Sequence, residues 1–274
     1  MADTAPTPAD TAAGEALLQV RSLRKEFGPT AAVDDVSFDI APGGSLAIVG
    51  ESGSGKTTIA KMVVGLLAPT AGTIVACGRD RSTPARGAAE RRRRGSEVQI
   101  VFQDPYSSLD PRQSGAAAID EVLALHRGGT REERDRRVAE LGELVGLDQR
   151  QLGALPRALS GGQRQRVAIA RALAAEPRLL ILDESVAALD VSIQAQVLNL
   201  LADIRSATGV SYLLISHDLA VVRQITDDVL VMRHGQVVER GVTAEVLDHP
   251  THEYTQQLRA SVPAPGWRPV RRHA

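Results

Sequence analysis

A glycine-rich loop carries the residues whose types and spacing most directly indicate chemistry. Its sequence, GESGSGKTT, fits the pattern G-x-x-x-x-G-K-[ST]. Glycine tolerates backbone angles that a Cβ would penalise, so successive N–H groups of such a loop can turn toward phosphate oxygens. The spacing therefore predicts a phosphate-binding loop. Its members are Gly50, Glu51, Ser52, Gly53, Ser54, Gly55, Lys56, Thr57 and Thr58.

Three side chains of this phosphate loop have predicted roles toward a bound nucleotide. Lys56 is expected to neutralise the β- and γ-phosphates, Thr57 to coordinate magnesium through its hydroxyl, and Thr58 to approach the α-phosphate. The apolar run 45–49 predicts a strand before the loop, and the pattern 59–64 predicts a helix after it. A helix N-terminus at this point favours a bound anion. The alternative interpretation of residues 50–58 is a glycine-rich turn that connects the strand to the helix and binds no ligand.

Two further apolar runs end in polar residues that suit phosphate chemistry. Leu179–Leu182 leads into Asp183 and Glu184, and a predicted strand over 210–216 leads into His217. Ligands bind at the carboxyl ends of parallel strands. Asp183 is expected to hold the magnesium hydration shell, Glu184 to accept a proton from an attacking water, and His217 to orient that water near the γ-phosphate. Two acids at a strand end can instead form a simple turn.

Length, charge and cysteine content limit the classes of protein to which these residues can belong. The chain has 274 residues, a formal net charge of -1 and one cysteine, Cys77. The charge argues against nucleic acid as the main partner, and a single cysteine cannot form an internal disulfide. The start of the chain lacks the basic and apolar regions of a secretory signal, and no apolar run reaches the roughly 20 residues of a membrane span. A cytoplasmic protein without a transmembrane segment is expected.

The remaining elements follow from local patterns. Residues 1–16 predict a disordered tail, 17–20 begin a strand, and 33–40 alternate as a half-buried strand. Phe27 could stack on an adenine ring, although its residue type alone favours a core position. The segment 79–95 reads as a polar, solvated connection. Its four arginines, 91–94, suit nucleic acid or anionic lipid, but a solvated surface is the simpler interpretation.

A helical block separates the phosphate loop from the later strands. Apolar residues recur with helical spacing between 119 and 147, which predicts an inserted helical subdomain over about 105–165. The string LSGGQ at 159–163 then opens a helix expected to run through residue 175, with Ser160 as its N-cap and paired glycines that would let a ligand approach. The ordered unit is expected to span 17–262, followed by a flexible tail, 263–274.

The phosphate loop, Gln103, LSGGQ, the strand ending in Asp183 and Glu184, the pair 189–190 and His217 together resemble the ATP-binding subunit of an ABC transporter. The resemblance implies a P-loop NTPase (RecA-like) α/β fold: a mainly parallel sheet core, an N-terminal antiparallel β subdomain and an inserted helical subdomain. It also implies a head-to-tail dimer in which one chain's LSGGQ string contacts the γ-phosphate on its partner's phosphate loop. Implied contributors to the nucleotide, metal or coupling sites are Gln103, Ser160, Gly161, Gly162, Gln163 and Asp190.

Three segments narrow this likeness to the oligopeptide, dipeptide and nickel importer branch. They are VFQDPYSSLDPR at 101–112, LDVSIQAQ at 189–196 and HPTHEYT at 249–255. Asp110 stands where that branch usually has Asn, and Ser185 where Pro is common. Some members carry a cysteine-ligated iron–sulfur cluster in a C-terminal extension, and none is expected here, because Cys77 lies elsewhere.

The resemblance implies an ATP-hydrolysing, magnesium-dependent subunit on the cytoplasmic face of the cell membrane. Its partners would be a second ABC ATPase subunit, either the same chain or a paralogue, two membrane permease subunits and, indirectly, an extracytoplasmic solute-binding protein. Peptides are the expected solute, and nickel or an oligosaccharide is the alternative. A soluble ABC protein acting on nucleic acid or ribosomes, or a plain P-loop kinase or GTPase, remains a rival interpretation.

Overall fold

The computed structural model describes residues 16–103, 108–185 and 189–260. The predicted tails 1–16 and 263–274 lie outside these residues, apart from Ala16. The strands are β1 Leu18–Phe27, β2 Thr30–Ile40, β3 Ser45–Val49, β4 Ala71–Ala76, β5 Arg79–Asp80, β6 Val98–Val101, β7 Leu179–Asp183, β8 Ser211–Ser216, β9 Asp228–Arg233 and β10 Gln236–Val242. The α-helices are α1 Lys56–Val64, α2 Ala88–Glu97, α3 Gly115–His126, α4 Arg131–Leu144, α5 Gln149–Gly153, α6 Gly161–Leu173, α7 Val191–Thr208, α8 Leu219–Ile225, α9 Thr243–Asp248 and α10 Glu253–Ala260, with a 3-10 turn at Pro156–Ala158.

The larger sheet has the strand order β10-β9-β3-β8-β7-β6. Neighbours from β9 to β6 run parallel, and β10 closes the edge as an antiparallel hairpin with β9. Every residue of β3, β7 and β8 is buried. Helices cover both faces of such strands, which is why their sequences read as continuous apolar runs rather than alternating ones.

The smaller sheet is antiparallel, with the order β2-β1-β4-β5. Val36, Phe38 and Ile40 of β2 are buried, while Asp39 between them is exposed, as period-two alternation predicts. These side chains share one apolar cluster with α1 and with one face of β3, and Ile59 and Met62 of α1 are fully buried in it. Helix α1 therefore has sheet residues against its apolar side, which fixes the end of the phosphate loop.

The helices α3, α4 and α5 lie between β6 and β7 in the chain and pack with α6 in a second apolar cluster. Together with the two sheets, this arrangement confirms the predicted fold class: a mainly parallel core, an N-terminal antiparallel sheet and an inserted helical part. The helix predicted from Ser160 ends at Leu173 rather than at residue 175.

The segment 79–95 is largely solvated, as its charge predicted: Arg91, Arg92 and Arg93 are exposed, and α2 has no buried residue. It contains β5 and most of α2, and Arg81 is 3% exposed in a bidentate cluster in which Glu97 accepts from both Arg79 and Arg81. Arg94 folds back onto Glu90 and donates to the carbonyl of Thr83 at 2.7 Å. Only the burial of Arg81 departs from this prediction, because a buried arginine with a carboxylate partner has the same local sequence as a solvated one.

Candidate nucleotide-binding site

Three parallel strands end at the same edge of the larger sheet and bring the predicted site residues together. In the register of these strands, Val49 of β3 lies beside Ser216 of β8, and Ile215 lies beside Asp183 of β7. The phosphate loop follows β3, His217 follows β8, and Glu184 follows β7. Pairing of parallel strands thus converts three distant sequence positions into one cluster at a carboxyl edge.

The phosphate loop is organised around the ammonium group of Lys56. This side chain is only 5% exposed, and its Nζ donates to the carbonyl oxygens of Gly50 at 2.7 Å and Glu51 at 2.8 Å. Burial lowers the pKa of Lys56, an effect opposed by the nearby carboxylates of Glu184, Asp183 and Glu51. The ammonium is therefore held inside the loop's curve, where a phosphate group would meet it.

Two loop glycines are required by close backbone contacts. A Cβ on Gly50 would lie 2.2 Å from the carbonyl oxygen of Met232, and one on Gly55 would lie 2.3 Å from that of Ala32. Both have positive φ angles, 151° and 103°. The end of β9 and the start of β2 therefore contact the phosphate loop closely at Gly50 and Gly55, which leaves no room for a side chain at either position.

We expect Gly55→Ala to destabilise the fold by about 2–5 kcal/mol, because it adds a steric clash to the cost of a left-handed conformation. Gly53→Ala is the matched control: Gly53 also has positive φ, but nothing lies within 4 Å of its Cβ position. It should cost only about 1–2 kcal/mol. Urea unfolding compares the two variants, and equal losses would contradict the assigned contact.

Oxygen donors suited to magnesium lie next to the loop. The hydroxyl of Thr57 donates to Oδ1 of Asp183 at 3.1 Å, which joins the start of α1 to the end of β7. Asp183 is 6% exposed, and burial raises its pKa. A hydroxyl and a carboxylate are hard oxygen ligands of the kind that Mg²⁺ binds. The residues present therefore fit a magnesium ion accompanying a nucleotide.

Asp183→Asn should raise stability while weakening magnesium binding. The pKa of Asp183 is raised in the folded chain, so the folded state holds this proton more tightly than the unfolded state does. The stability that protonation contributes is present at low pH and is lost as the pH rises through the folded-state pKa. The asparagine variant should therefore melt higher at pH 7, by about 2–4 °C for each kcal/mol recovered, and show no gain below pH 3.8. Thermal melts at both pH values, with a Mg²⁺ titration at pH 7, measure this. A lower melting temperature at pH 7 would contradict it.

Glu184 and His217 face each other across the carboxyl edge. Nδ1 of His217 lies 3.5 Å from Oε1 of Glu184, and the Glu184 N–H donates to the carbonyl of Ile215 at 2.9 Å. Glu184 has a φ angle of 48°, a conformation uncommon for a residue with a Cβ. This left-handed turn after β7 directs its side chain along the strand ends. A carboxylate and an imidazole are therefore held together beside the phosphate loop.

Phe27 is exposed rather than part of the core. Its side chain is 52% exposed at the end of β1, and Nζ of Lys25 lies 5.3 Å from the ring centroid. The core position favoured by residue type is wrong, because β1 extends past the apolar cluster: Phe27 still pairs with Thr30 of β2 but lies outside that cluster. An exposed ring remains free to stack on a planar ligand.

The string at 159–163 begins α6 with a reciprocal cap. Oγ of Ser160 accepts from the Gln163 N–H at 3.3 Å, and Oε1 of Gln163 accepts from the Ser160 N–H at 2.9 Å. Gly162 has a packing reason of its own, since a Cβ there would lie 2.6 Å from Cγ2 of Ile193. Among the described residues, no hydrogen bond joins this helix start to the phosphate loop. Ser160 is exposed and Gly161 is half-buried, so this helix start is accessible from outside the chain.

The other predicted residues have simpler placements. Gln103 is exposed just after β6, the strand next to β7, and Asp190 is exposed just before α7. Glu51, Ser52 and Gly53 form the exposed outer part of the phosphate loop. Ser54 and Gly55 are buried, whereas Thr57 and Thr58 are half-buried.

Sequence reasoning missed one contact with the phosphate loop. The Glu51 N–H donates to the hydroxyl of Tyr254 at 3.0 Å. Tyr254 belongs to the C-terminal helix α10, and the sequence had singled it out only as part of a segment typical of one branch. No local spacing reveals a contact between residues so far apart in the chain.

A family model described as "ABC transporter" matches residues 33–187. The chain belongs to the ABC transporter family. The matched region runs from β2 through the phosphate loop and α6 to the end of β7. Lys56, Thr57, Asp183 and Glu184 all lie within the matched region.

Relatives within the family are similar over most of this chain. The chain is 48% identical over 250 residues to the oligopeptide transport ATP-binding protein OppD of Mycobacterium tuberculosis, covering 91% of this chain and 40% of OppD. It is 44% identical over 261 residues to the glutathione import ATP-binding protein GsiA of Salmonella typhimurium, covering 91% of this chain and 42% of GsiA. The chain thus spans about two fifths of the length of these curated relatives.

A solved structure shares the fold. The ATP-binding cassette MJ0796, in a dimeric post-hydrolysis state bound to ADP and Pi, superposes with a TM-score of 0.74 at 28% identity, covering 82% of this chain and 98% of that one. An ABC cassette fold is therefore shared by both chains.

Proposed function

We propose that this ABC protein is an ATP-hydrolysing subunit that powers import of peptides. The single observation that carries the proposal is the convergence of Lys56, Thr57, Asp183, Glu184 and His217 at one sheet edge, beside the phosphate loop. Phosphoryl transfer needs positioning and charge stabilisation more than covalent chemistry, and this cluster offers both.

Each residue has a proposed part in hydrolysis. Lys56 leaves the loop carbonyls for the β- and γ-phosphates, and Glu184 accepts a proton from the attacking water. His217 contacts the γ-phosphate and, through its position beside Glu184, orients the same water. Thr57 and Asp183, with Gln103, would hold magnesium, which when bound would neutralise charge on the phosphates.

The site is proposed to need a second subunit. Ser160 to Gln163 have no hydrogen bond to the phosphate loop among the described residues, and Ser160 and the half-buried Gly161 are accessible from outside the chain. The MJ0796 cassette is dimeric when bound to ADP and Pi, which supports a dimer here. In the proposed dimer, this segment of one chain covers the γ-phosphate held by the other, with Asp190 beside it, and Phe27 stacks on adenine.

The transport role rests on the relatives. OppD and GsiA are named for oligopeptide transport and glutathione import, so peptides are the proposed cargo. Within the described residues, no helix is long and apolar enough to span a bilayer. We therefore propose two permease subunits as the membrane partners, with this chain, residues 17–262 as its ATP-binding unit, on the cytoplasmic face. A solute-binding protein would act on the other side.

Reconstitution in proteoliposomes with the permease subunits tests this function. The expected result is ATP hydrolysis stimulated by a peptide-loaded solute-binding protein, and not by the same protein loaded with Ni²⁺ or an oligosaccharide. Stimulation by Ni²⁺ alone would reassign the cargo within the same branch. Stimulation by RNA or DNA, without any permease, would instead favour a soluble ABC protein.

A further inference from the structure

We propose that Tyr254 is a positioning residue for the phosphate loop, and that the C-terminal helix α10 thereby sets nucleotide affinity. The inference rests on the proposed nucleotide-binding function. Tyr254 is 3% exposed, and its hydroxyl accepts the Glu51 N–H at 3.0 Å. It contacts the first residue of the exposed outer part of the loop, where burial does least to fix the backbone.

Three of the polar contacts that support the loop differ in how they depend on Lys56. Lys56 donates to the carbonyl of Glu51, the Gly235 N–H donates to the carbonyl of Ser54 at 3.2 Å, and the Tyr254 hydroxyl accepts from Glu51. A bound phosphate competes for the first contact, because it attracts the same ammonium. The Tyr254 contact does not depend on Lys56, so it can hold Glu51 in both the free and the bound loop.

Tyr254 is itself held firmly. The guanidinium carbon of Arg233, at the end of β9, lies 5.0 Å from its ring centroid. The backbone N–H of Tyr254 donates to Nδ1 of His252 at 3.1 Å. The carboxylate of Glu239 accepts the backbone N–H groups of Thr251 at 2.7 Å and His252 at 3.2 Å. The segment 251–254 is thus fastened to β9 and β10, and through one hydroxyl to the phosphate loop.

A loop held in its binding geometry loses less conformational freedom when phosphate binds. Removing the hydroxyl while keeping the ring should free the Glu51 N–H and leave α10 in place. Tyr254→Phe is therefore expected to weaken Mg²⁺–ADP binding by about threefold to tenfold, the range of one net hydrogen bond. The KM for ATP should rise by the same factor, while kcat at saturation stays within about twofold of the unsubstituted chain.

Tyr212→Phe is the matched control. Tyr212 is also buried, and its hydroxyl donates to the carbonyl of Leu201 at 2.7 Å, in a contact between β8 and α7 that does not touch the loop. The control should lower the melting temperature and leave ADP affinity unchanged. Glu239→Ala, which removes the anchor of the segment, should weaken ADP binding in the same direction as Tyr254→Phe.

Isothermal titration with Mg²⁺–ADP, alongside thermal melts, tests whether the Tyr254 hydroxyl sets the affinity for ADP. An unchanged ADP affinity in Tyr254→Phe overturns the inference, even if Glu239→Ala weakens binding, because packing of the segment would then suffice without the hydroxyl. Affinity losses that merely track melting temperature in both tyrosine variants overturn it as well. If the unsubstituted chain binds no ADP, the proposed function fails, and this inference fails with it.

Discussion

Glu184→Gln is expected to slow ATP hydrolysis by at least about 100-fold while leaving ATP binding intact. Glutamine has the shape of glutamate and can occupy the same position beside His217, but it cannot take a proton from water. The left-handed turn at Glu184 is set by β7 and by its N–H bond to Ile215, neither of which depends on the carboxylate. Single-turnover hydrolysis with radiolabelled ATP measures the rate, and filter binding measures the affinity.

Glu140→Gln provides the matched control for Glu184→Gln. Glu140 lies on α4, where its carboxylate accepts from Arg137 at 2.8 Å on an exposed surface. Its substitution should leave hydrolysis unchanged. Wild-type hydrolysis by Glu184→Gln would remove Glu184 from the proposed chemistry, whereas equal losses in both variants would point to a general effect of lost charge.

Lys56→Ala is expected to weaken ATP binding by about 10- to 100-fold, the range of one charge-assisted contact to phosphate. The substitution also removes the donor shared by the carbonyls of Gly50 and Glu51, so the free loop loses its internal support. Fluorescence titration with an ATP analogue measures the affinity, and urea unfolding measures the accompanying loss of stability.

Lys61→Ala separates this effect from a general loss of positive charge. Lys61 lies on the same helix, α1, but its side chain is exposed rather than folded into the loop. Its substitution should change ATP affinity by no more than about twofold, as a screened surface charge would. Comparable losses from Lys61→Ala and Lys56→Ala would show that the helix charge, and not the loop geometry, governs binding.

Much of the fold was predictable because it is encoded in local patterns. Continuous apolar runs predicted β3, β7 and β8, period-two alternation predicted β2, and helical spacing between 119 and 147 predicted the helical block that contains α3 and α4. The LSGGQ string predicted a capped helix, and Ser160 is its N-cap. In each of these elements, a few neighbouring residues determine the structure.

The misses share a different physical origin. Phe27 is exposed because its strand outruns the apolar cluster, and Arg81 is buried because Glu97 reaches it from α2. Gly162 packs against Ile193, and Tyr254 contacts Glu51 across the chain. Each of these depends on which distant side chain arrives at the same place, and neither residue type nor spacing contains that information.

Each nucleotide site is proposed to be shared between two subunits, and a mixture of two inactive variants tests this sharing. Ser160→Asp keeps a good N-cap for α6 but sets a negative charge where the γ-phosphate of the partner should lie. Lys56→Ala disables the phosphate loop of its own chain.

ATP hydrolysis is measured for each variant alone and for an equimolar mixture. Both variants alone should be inactive, and the mixture should regain about a quarter of the unsubstituted rate, because half of the symmetric dimers are mixed and each holds one intact site of two. Full activity of Ser160→Asp alone, or a mixture as inactive as its components, would contradict the shared site.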